Sequence, residues 1–259
     1  MKKYVLDLKV TANIKLNDNY VLLKFTTLND EVLPEMLPGQ FAEVRIDGSP
    51  NTFLRRPISV NYIDKSKNEL WLLIQLVGVG TRKLSEKREG NTVNMVLPLG
   101  NTFSNPNPGE KILLIGGGVG TAPMLFLGQS LREKGFEPVF LLGARSSKDV
   151  LQVSDFQKNG EVLITTEDGS AGEKGYVTQH SVLIDRHFDR IYTCGPKPMM
   201  IAVAAYAKAK GIVCEASLEN MMACGIGACL CCVEDTQEGH LCVCKEGPVF
   251  NIEKLKWQI

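Results

Sequence analysis

The chain has 259 residues, enough for two domains and an appendage at roughly 150 residues per domain and long enough to bury cores without disulfide staples. Lysine plus arginine and aspartate plus glutamate each number 29, so the formal charge is zero, which excludes the basic excess of a nucleic-acid or anionic-membrane binder. At 44% hydrophobic and 22% charged, the composition is that of a globular protein rather than a disordered chain.

In chain order, the opening MKKYVLDLKV interrupts any apolar run with Asp7 and Lys9, so no signal peptide is expected. Tyr4, Leu6, Leu8 and Val10 alternate with polar residues, the period of a half-buried strand. Further β-rich runs at residues 20–26, 41–46, 70–77 and 92–97, with turn clusters between them, predict a closed antiparallel barrel. Inside this region Arg55-Arg56-Pro57-Ile58-Ser59 places guanidinium and hydroxyl groups on an apolar stretch. Arginine forks hold phosphates, and a serine can bond the edge of a flavin ring; a solvated edge strand would read the same. Gly78-Val79-Gly80-Thr81 leads into a polar segment at 82–87, with Thr81 as the expected N-cap and free amides suited to a diphosphate.

Residues 104–109 (SNPNPG) read as a linker. Beyond them the apolar run 112–115 is a buried parallel strand, followed by Gly116-Gly117-Gly118-Val119-Gly120-Thr121-Ala122-Pro123 and a helix opened by Pro123 that runs to about residue 134. The glycines and Pro123 also exclude a membrane span over 112–128. Strands at 138–142, 161–165 and 190–193 and a helix at 199–210 closed by Gly211 complete a doubly wound α/β pattern. Such a glycine turn lets backbone approach a diphosphate at a helix N-terminus, and a tight turn without a ligand shares its composition. Cys194-Gly195-Pro196 ends a strand at the same sheet edge, where Cys194 is either a nicotinamide neighbour or inert packing. Thr165-Thr166-Glu167-Asp168-Gly169 ends another strand and either meets a cofactor ribose or is a solvated acidic turn. Arg145-Ser146-Ser147-Lys148 offers a conceivable 2′-phosphate site. His180 and His187 are expected at the surface.

All eight cysteines follow residue 193, and six fall between 224 and 244. A disulfide framework would be dispersed, so a metal site is the expectation. Cys224, Cys229 and Cys232 follow C-x4-C-x2-C, the plant-type [2Fe–2S] spacing with a distant fourth cysteine, and Gly225 and Gly227 permit left-handed backbone in such a loop. A zinc site from Cys229, Cys232, Cys242 and His240 is the competitor; it leaves Cys224 and the glycines unexplained. Cys242 and Cys244, two apart on an expected strand, share a face about 7 Å apart, so only one reaches the iron, and spacing alone does not choose.

Arg56-Pro57-Ile58-Ser59, Gly80-Thr81, residues 116–123 and Cys194-Gly195-Pro196 together resemble the ferredoxin–NADP reductase superfamily. The tail, from Met222-Ala223-Cys224 to Cys244-Lys245-Glu246-Gly247-Pro248, is similar to the electron-transfer subunits of dihydroorotate dehydrogenase B. The resemblance implies an FAD-binding antiparallel β-barrel (1–103), an NAD-binding α/β domain with a doubly wound parallel sheet (110–212) and a small [2Fe–2S] subdomain (213–259). It implies FAD contacts from Arg56, Pro57, Ile58, Ser59, Leu73, Ile74, Gln75, Gly80 and Thr81. NAD(H) contacts are expected from Gly116, Gly117, Gly118, Gly120, Thr121, Cys194 and Gly195. Cluster ligation is assigned to Cys224, Cys229, Cys232 and Cys244, with Cys231 and Cys242 outside the ligand set.

The activity implied is an NAD-linked flavoprotein component in pyrimidine biosynthesis, cytoplasmic, assembled as a heterotetramer with a separate FMN-containing dihydroorotate dehydrogenase catalytic subunit. No residues remain here for an FMN barrel. A sister class, the flavin/iron–sulfur subunits of sulfide dehydrogenase or NADH-dependent ferredoxin–NADP oxidoreductase, typically carries Asp where Cys224 stands. A non-catalytic zinc module would lack use for the flavin and nucleotide motifs.

Overall fold

The computed structural model describes residues 2–29 and 31–259. The first half forms β1 (Tyr4–Lys15), β2 (Tyr20–Thr27), β3 (Phe41–Val44), β4 (Arg56–Ser59), β5 (Tyr62–Asp64), β6 (Glu69–Gln75), the short helix α1 (Val79–Ser85) and β7 (Thr92–Leu99). The seven strands make one antiparallel sheet in the order β4-β3-β7-β1-β2-β6-β5. Alternation builds its core: Leu8 and Val10 of β1, Leu23 and Phe25 of β2 and Ala42 and Val44 of β3 all point inward. Phe41, on the other face of β3, joins the core of the second half instead. The sheet curls until β4 packs on β6, so the expected barrel closes by packing and not by a hydrogen-bonded ladder.

The four-residue β4 and three-residue β5 show no alternating burial, which is why periodicity did not delimit them. Helix α1 begins one turn earlier than expected. Gly78 is its cap and Thr81 is its third residue, whose Oγ1 accepts the Gly78 N–H at 3.1 Å.

The second half contains β8 (Ile112–Gly117), α2 (Thr121–Glu133), β9 (Val139–Ala144), α3 (Val153–Gln157), β10 (Glu161–Thr166), β11 (Glu173–Lys174), α4 (Val182–Asp185), β12 (Arg190–Cys194), α5 (Lys197–Lys210), β13 (Val213–Ser217), β14 (Val233–Thr236), β15 (Gly239–Cys242) and β16 (Val249–Asn251). The sheet order is β11-β10-β9-β8-β12-β13-β16. All pairings are parallel except that of β16 with β13. Every residue of β8 is buried, as a strand covered on both faces requires. Helix α2 starts at Thr121, two residues before Pro123, and α5 ends at Gly211 with φ +67°, the left-handed stop that favours glycine.

Strand β13, expected in the cysteine-rich tail, is the sixth parallel strand of this sheet, and β16 extends it. The tail is thereby anchored to the nucleotide half, leaving β14 and β15 as a separate hairpin. The order in which successive strands are added reverses between β8 and β12, and ligands bind doubly wound sheets outside the strand ends at such a point. His187 is exposed as expected, but His180 is buried. Its Nδ1 accepts the Val182 N–H at 3.1 Å, a local turn that sequence polarity did not reveal. Among the described residues, no helix is long and apolar enough to cross a membrane.

The linker is pinned to β12. Arg190 Nε donates to Glu110 Oε2 at 2.7 Å and Nη1 to Ser104 Oγ at 3.2 Å, while the Tyr192 hydroxyl donates to the Ser104 carbonyl at 2.7 Å. The Arg190 hydrogen bond holds the Glu110 carboxyl below its ordinary range. Removing one buried hydrogen bond of this kind costs about 1 kcal/mol. Tyr192→Phe is therefore expected to lower the thermal midpoint by about 2 °C; an unchanged melting curve would show that the linker is held elsewhere.

Candidate redox site

On the barrel, Arg56 and the Gly80-Thr81 turn, far apart in sequence, come together. A Cβ on Gly80 would lie 3.0 Å from Arg56 Nε and 3.1 Å from the Thr52 methyl. Gly80 therefore leaves a cradle in which the guanidinium lies beside helix backbone, a donor set suited to a diphosphate. Arg56, Pro57, Ile58 and Ser59 are half-buried at every position of β4. The remaining expected flavin residues separate: Ile74 is in the barrel core, Leu73 packs with Tyr20, Ala122 and Leu151 between the halves, and Gln75 reaches an open cavity.

That cavity, about 620 Å³, lies between barrel and parallel sheet at the switch point. Gly117 and Gly118 line it. Gly116, Gly120, Thr121, Cys194 and Gly195 do not, because they form the packed layer behind it. A Cβ on Gly120 would be 2.5 Å from the Cys194 carbonyl, and one on Gly116 2.8 Å from Thr121 Cα. Packing of β12 on the turn thus accounts for Gly120 and packing of the start of α2 for Gly116, whereas at Gly118, with φ +57°, a Cβ would meet only the Tyr20 hydroxyl, at 3.6 Å.

Cys194 is fully buried, and burial keeps its thiol well above the ordinary range. The wall residue is Glu219, whose Oε1 lies 3.9 Å from Cys194 Sγ. Its side chain opens into the cavity rather than packing in the core, and the surrounding wall raises its carboxyl pKa by desolvation. Sequence reasoning missed Glu219 because a single glutamate carries no spacing signal.

Further along the wall stand Arg145, Asp149 and Glu167. The supposed 2′-phosphate site at 145–148 is largely committed elsewhere. The Ser147 N–H is taken by Ser170 Oγ at 2.7 Å, Ser146 Oγ donates to Asp149 at 3.2 Å, and Lys148 is off the wall. Asp168 accepts from Ser170 N and Oγ, so of the two acidic residues in that turn Glu167 faces the cavity, with Thr165 also on the wall.

In the tail, the thiols stand in two pairs, Cys224 with Cys229 and Cys232 with Cys244, each linked by a hydrogen bond. Backbone N–H groups converge on the sulfurs: Ile226 and Ala228 donate to Cys224 Sγ at 3.5 and 3.3 Å, Gly227 to Cys244 Sγ at 3.1 Å, and Cys244 to Cys232 Sγ at 3.3 Å. Burial works to raise the Cys224 thiol but the N–H donors outweigh it, bringing it down to about 6. Burial and the Cys232 hydrogen bond push Cys244 up to about 12. Gly225 and Gly227 take φ +68° and +82°, the backbone that lets the loop turn its amides inward.

Among the described residues, no three His, Cys, Asp or Glu side chains converge on a single-ion site. His240 points to solvent beside Asp235, which removes it from a zinc set. Two thiol pairs instead match a two-iron cluster, in which four cysteines are shared between the irons. Strand β15 ends at Cys242, and the chain then turns, Lys245 and Glu246 donating to the Cys242 carbonyl. Cys242 and Cys244 therefore do not share a strand face as expected; Cys242 ends the strand and Cys244 lies in the turn, both buried in one core. Cys231 is exposed, as is Cys229, but Cys231 has no part in either thiol pair.

The geometry defines a ferredoxin-reductase-like NAD-linked flavoprotein that carries an added iron–sulfur domain. Comparisons agree. Residues 114–205 match the model of the oxidoreductase NAD-binding domain, and residues 219–256 that of the iron–sulfur cluster binding domain of dihydroorotate dehydrogenase B. The dihydroorotate dehydrogenase B (NAD(+)) electron transfer subunit of Desulforamulus reducens is 38% identical over 98% of this chain and 99% of its own. That of Shouchella clausii is 38% identical over 91% of both. Among solved structures, an NADH-dependent reduced ferredoxin–NADP oxidoreductase superposes with a TM-score of 0.86 at 30% identity, covering 99% of this chain and 92% of that one. The chain belongs to the family of dihydroorotate dehydrogenase B electron transfer subunits.

If the two pairs hold the cluster, Cys231→Ala and Cys242→Ala will retain its visible absorption and the EPR signal of the reduced form. Serine at 224, 229, 232 or 244 will lose or alter both, since a hydroxyl is a harder and less readily ionised ligand. Loss in Cys242→Ala with an intact cluster in Cys244→Ser would reverse the assignment.

Proposed function

We propose that this chain passes electrons between NAD(H) and a separate FMN-containing dihydroorotate dehydrogenase subunit, with three functional units at 1–103, 110–212 and 213–259. When bound, FAD supplies the exchange between a two-electron hydride and single electrons, and the cluster supplies one-electron transfer. The observation that carries this reading is the seat of the cysteine loop. Gly225 lies directly on Glu43 and Leu99 of the barrel, and β3, which bears Glu43, pairs with the Arg56–Ser59 strand. The flavin strand and the cysteine loop are thus separated by a single strand.

The chain's own side chains divide the work. Arg56 in the Gly80 cradle would hold the flavin diphosphate, and Gly117 and Gly118 would admit the nucleotide diphosphate to the cavity. Glu219, its carboxyl pKa raised by desolvation, stands at the cavity wall with the Cys194 thiol behind it. On the outer rim, Ile226 and Leu230 of the loop and nearby Met221 are exposed apolar residues, and Leu230 is held at φ +58°, a conformation unusual for leucine. This rim is the surface we assign to the catalytic subunit, two copies of each forming the heterotetramer, in the reducing cytoplasm where free thiols persist. The alternative, a subunit of a ferredoxin–NADP oxidoreductase or sulfide dehydrogenase, is favoured by the structural superposition; Cys224 and the tail's family match weigh against it.

The isolated chain is expected to oxidise NADH with artificial acceptors and not to oxidise dihydroorotate until the FMN subunit is added. Dihydroorotate oxidation by this chain alone would overturn the proposal. The carboxylates of Glu167 and Asp149 face the cavity with only Arg145 against them, so the extra charge of a 2′-phosphate is disfavoured and kcat/KM will be higher for NADH than NADPH. Glu167→Gln should narrow that ratio about tenfold, equivalent to about 1.4 kcal/mol; an unchanged ratio would remove Glu167 from nucleotide selection.

A further inference from the structure

Glu43 is completely buried, and neither carboxylate oxygen has a hydrogen-bond partner. Its position follows from strand alternation: Ala42 and Val44 face the barrel core, so Glu43 faces the other way, onto the cysteine loop. There the contact is close. A Cβ on Gly225 would sit 2.6 Å from Glu43 Cγ, 3.0 Å from Leu99 Cδ1 and 3.2 Å from Glu43 Oε1.

The nearby cations do not pair with this carboxyl. Arg55 Nη1 donates to the Glu43 and Asn94 carbonyls and Nη2 to Asn94 Oδ1 at 2.6 Å. Arg56 Nη1 donates to the carbonyls of Leu54 and Arg55. A carboxyl buried without a partner destabilises a fold, and a structural contact at this position would be better made by an apolar residue. Burial raises its pKa to about 7 against the opposing pull of Arg55 and Arg56, so above that pH the carboxyl contributes negative charge, in a low-dielectric seam where charge acts strongly.

We propose that Glu43 is a positioning residue for electron transfer: its ionised carboxylate beneath Gly225, free of hydrogen-bond partners, lowers the reduction potential of the cluster that Cys224, Cys229, Cys232 and Cys244 hold. A more negative cluster is a stronger one-electron donor and a weaker acceptor toward either neighbouring centre, so Glu43 sets the driving force of the single-electron steps through the chain. The inference rests on the cluster reading above. A wild-type chain that binds no iron–sulfur cluster would defeat that reading, whereas a cluster insensitive to Glu43 would defeat only this one.

The test is an EPR-monitored redox titration of the cluster in the holo-protein at pH 9, comparing wild type with Glu43→Gln and Glu43→Asp. Glu43→Gln, which keeps the shape and removes the charge, should shift the one-electron equilibrium toward the reduced cluster about tenfold, a rise of about 59 mV. Glu43→Asp, which keeps the charge, should stay close to wild type. Equal potentials in wild type and Glu43→Gln would overturn the proposal. Loss of the cluster from Glu43→Gln, with or without loss from Glu43→Asp, would also overturn it, because the carboxyl would then be needed for cluster assembly.

Discussion

The arrangement depends on one close approach: the backbone of Gly225 pressed against a barrel strand. Its Cβ position is already occupied by Glu43 and Leu99, and its φ of +68° is one that few side-chain-bearing residues adopt. Any other residue would lift the loop off the barrel and lengthen the path between the flavin strand and the thiols. The other end of the tail is fixed by main-chain hydrogen bonds, because β16 pairs with β13 in the nucleotide sheet. The cysteine loop is therefore wedged between two independently built halves. Phe41 of the barrel, Phe250 of β16 and the buried Cys232 and Cys244 share one hydrophobic core.

A second close approach governs the nucleotide side. Gly120 lies against the backbone of Cys194 and Gly195, which brings the ends of β8 and β12 together at the point where the strand order reverses. The cavity opens beyond that contact. The glycine-rich turn thus serves two purposes that composition cannot separate: Gly116 and Gly120 let the backbone pack, while Gly117 and Gly118 form the wall. Nucleotide-binding turns are read from sequence as a unit, yet only half of this one is free to meet a ligand.

Much of the architecture was legible because it follows from periodicity. The alternating β1 and the continuous apolar β8 announced an antiparallel and a parallel sheet, and the C-x4-C-x2-C spacing announced the loop. The failures have physical causes. Strands β4 and β5 are too short and too evenly half-buried to show a period. Strand β13 was assigned to the tail because chain order does not disclose which sheet a strand joins. Cys242 and Cys244 were placed on one strand face because a turn closed by backbone hydrogen bonds leaves no mark in composition. Glu43, Glu219 and His180 were invisible for a shared reason. Each is a single polar residue whose importance lies in the neighbours it meets, Glu43 and His180 by burial and Glu219 at a cavity wall, which arise only on folding.

In the reading proposed above, hydride electrons entering at the cavity reach the thiol loop across the barrel seam. The most direct test of that reading is to add NADH anaerobically to the holo-protein without the catalytic subunit and record the EPR spectrum at low temperature. The account predicts that the signal of the reduced [2Fe–2S] cluster appears as the flavin absorbance bleaches. Bleaching with no iron–sulfur signal, in a sample whose cluster dithionite does reduce, would contradict it.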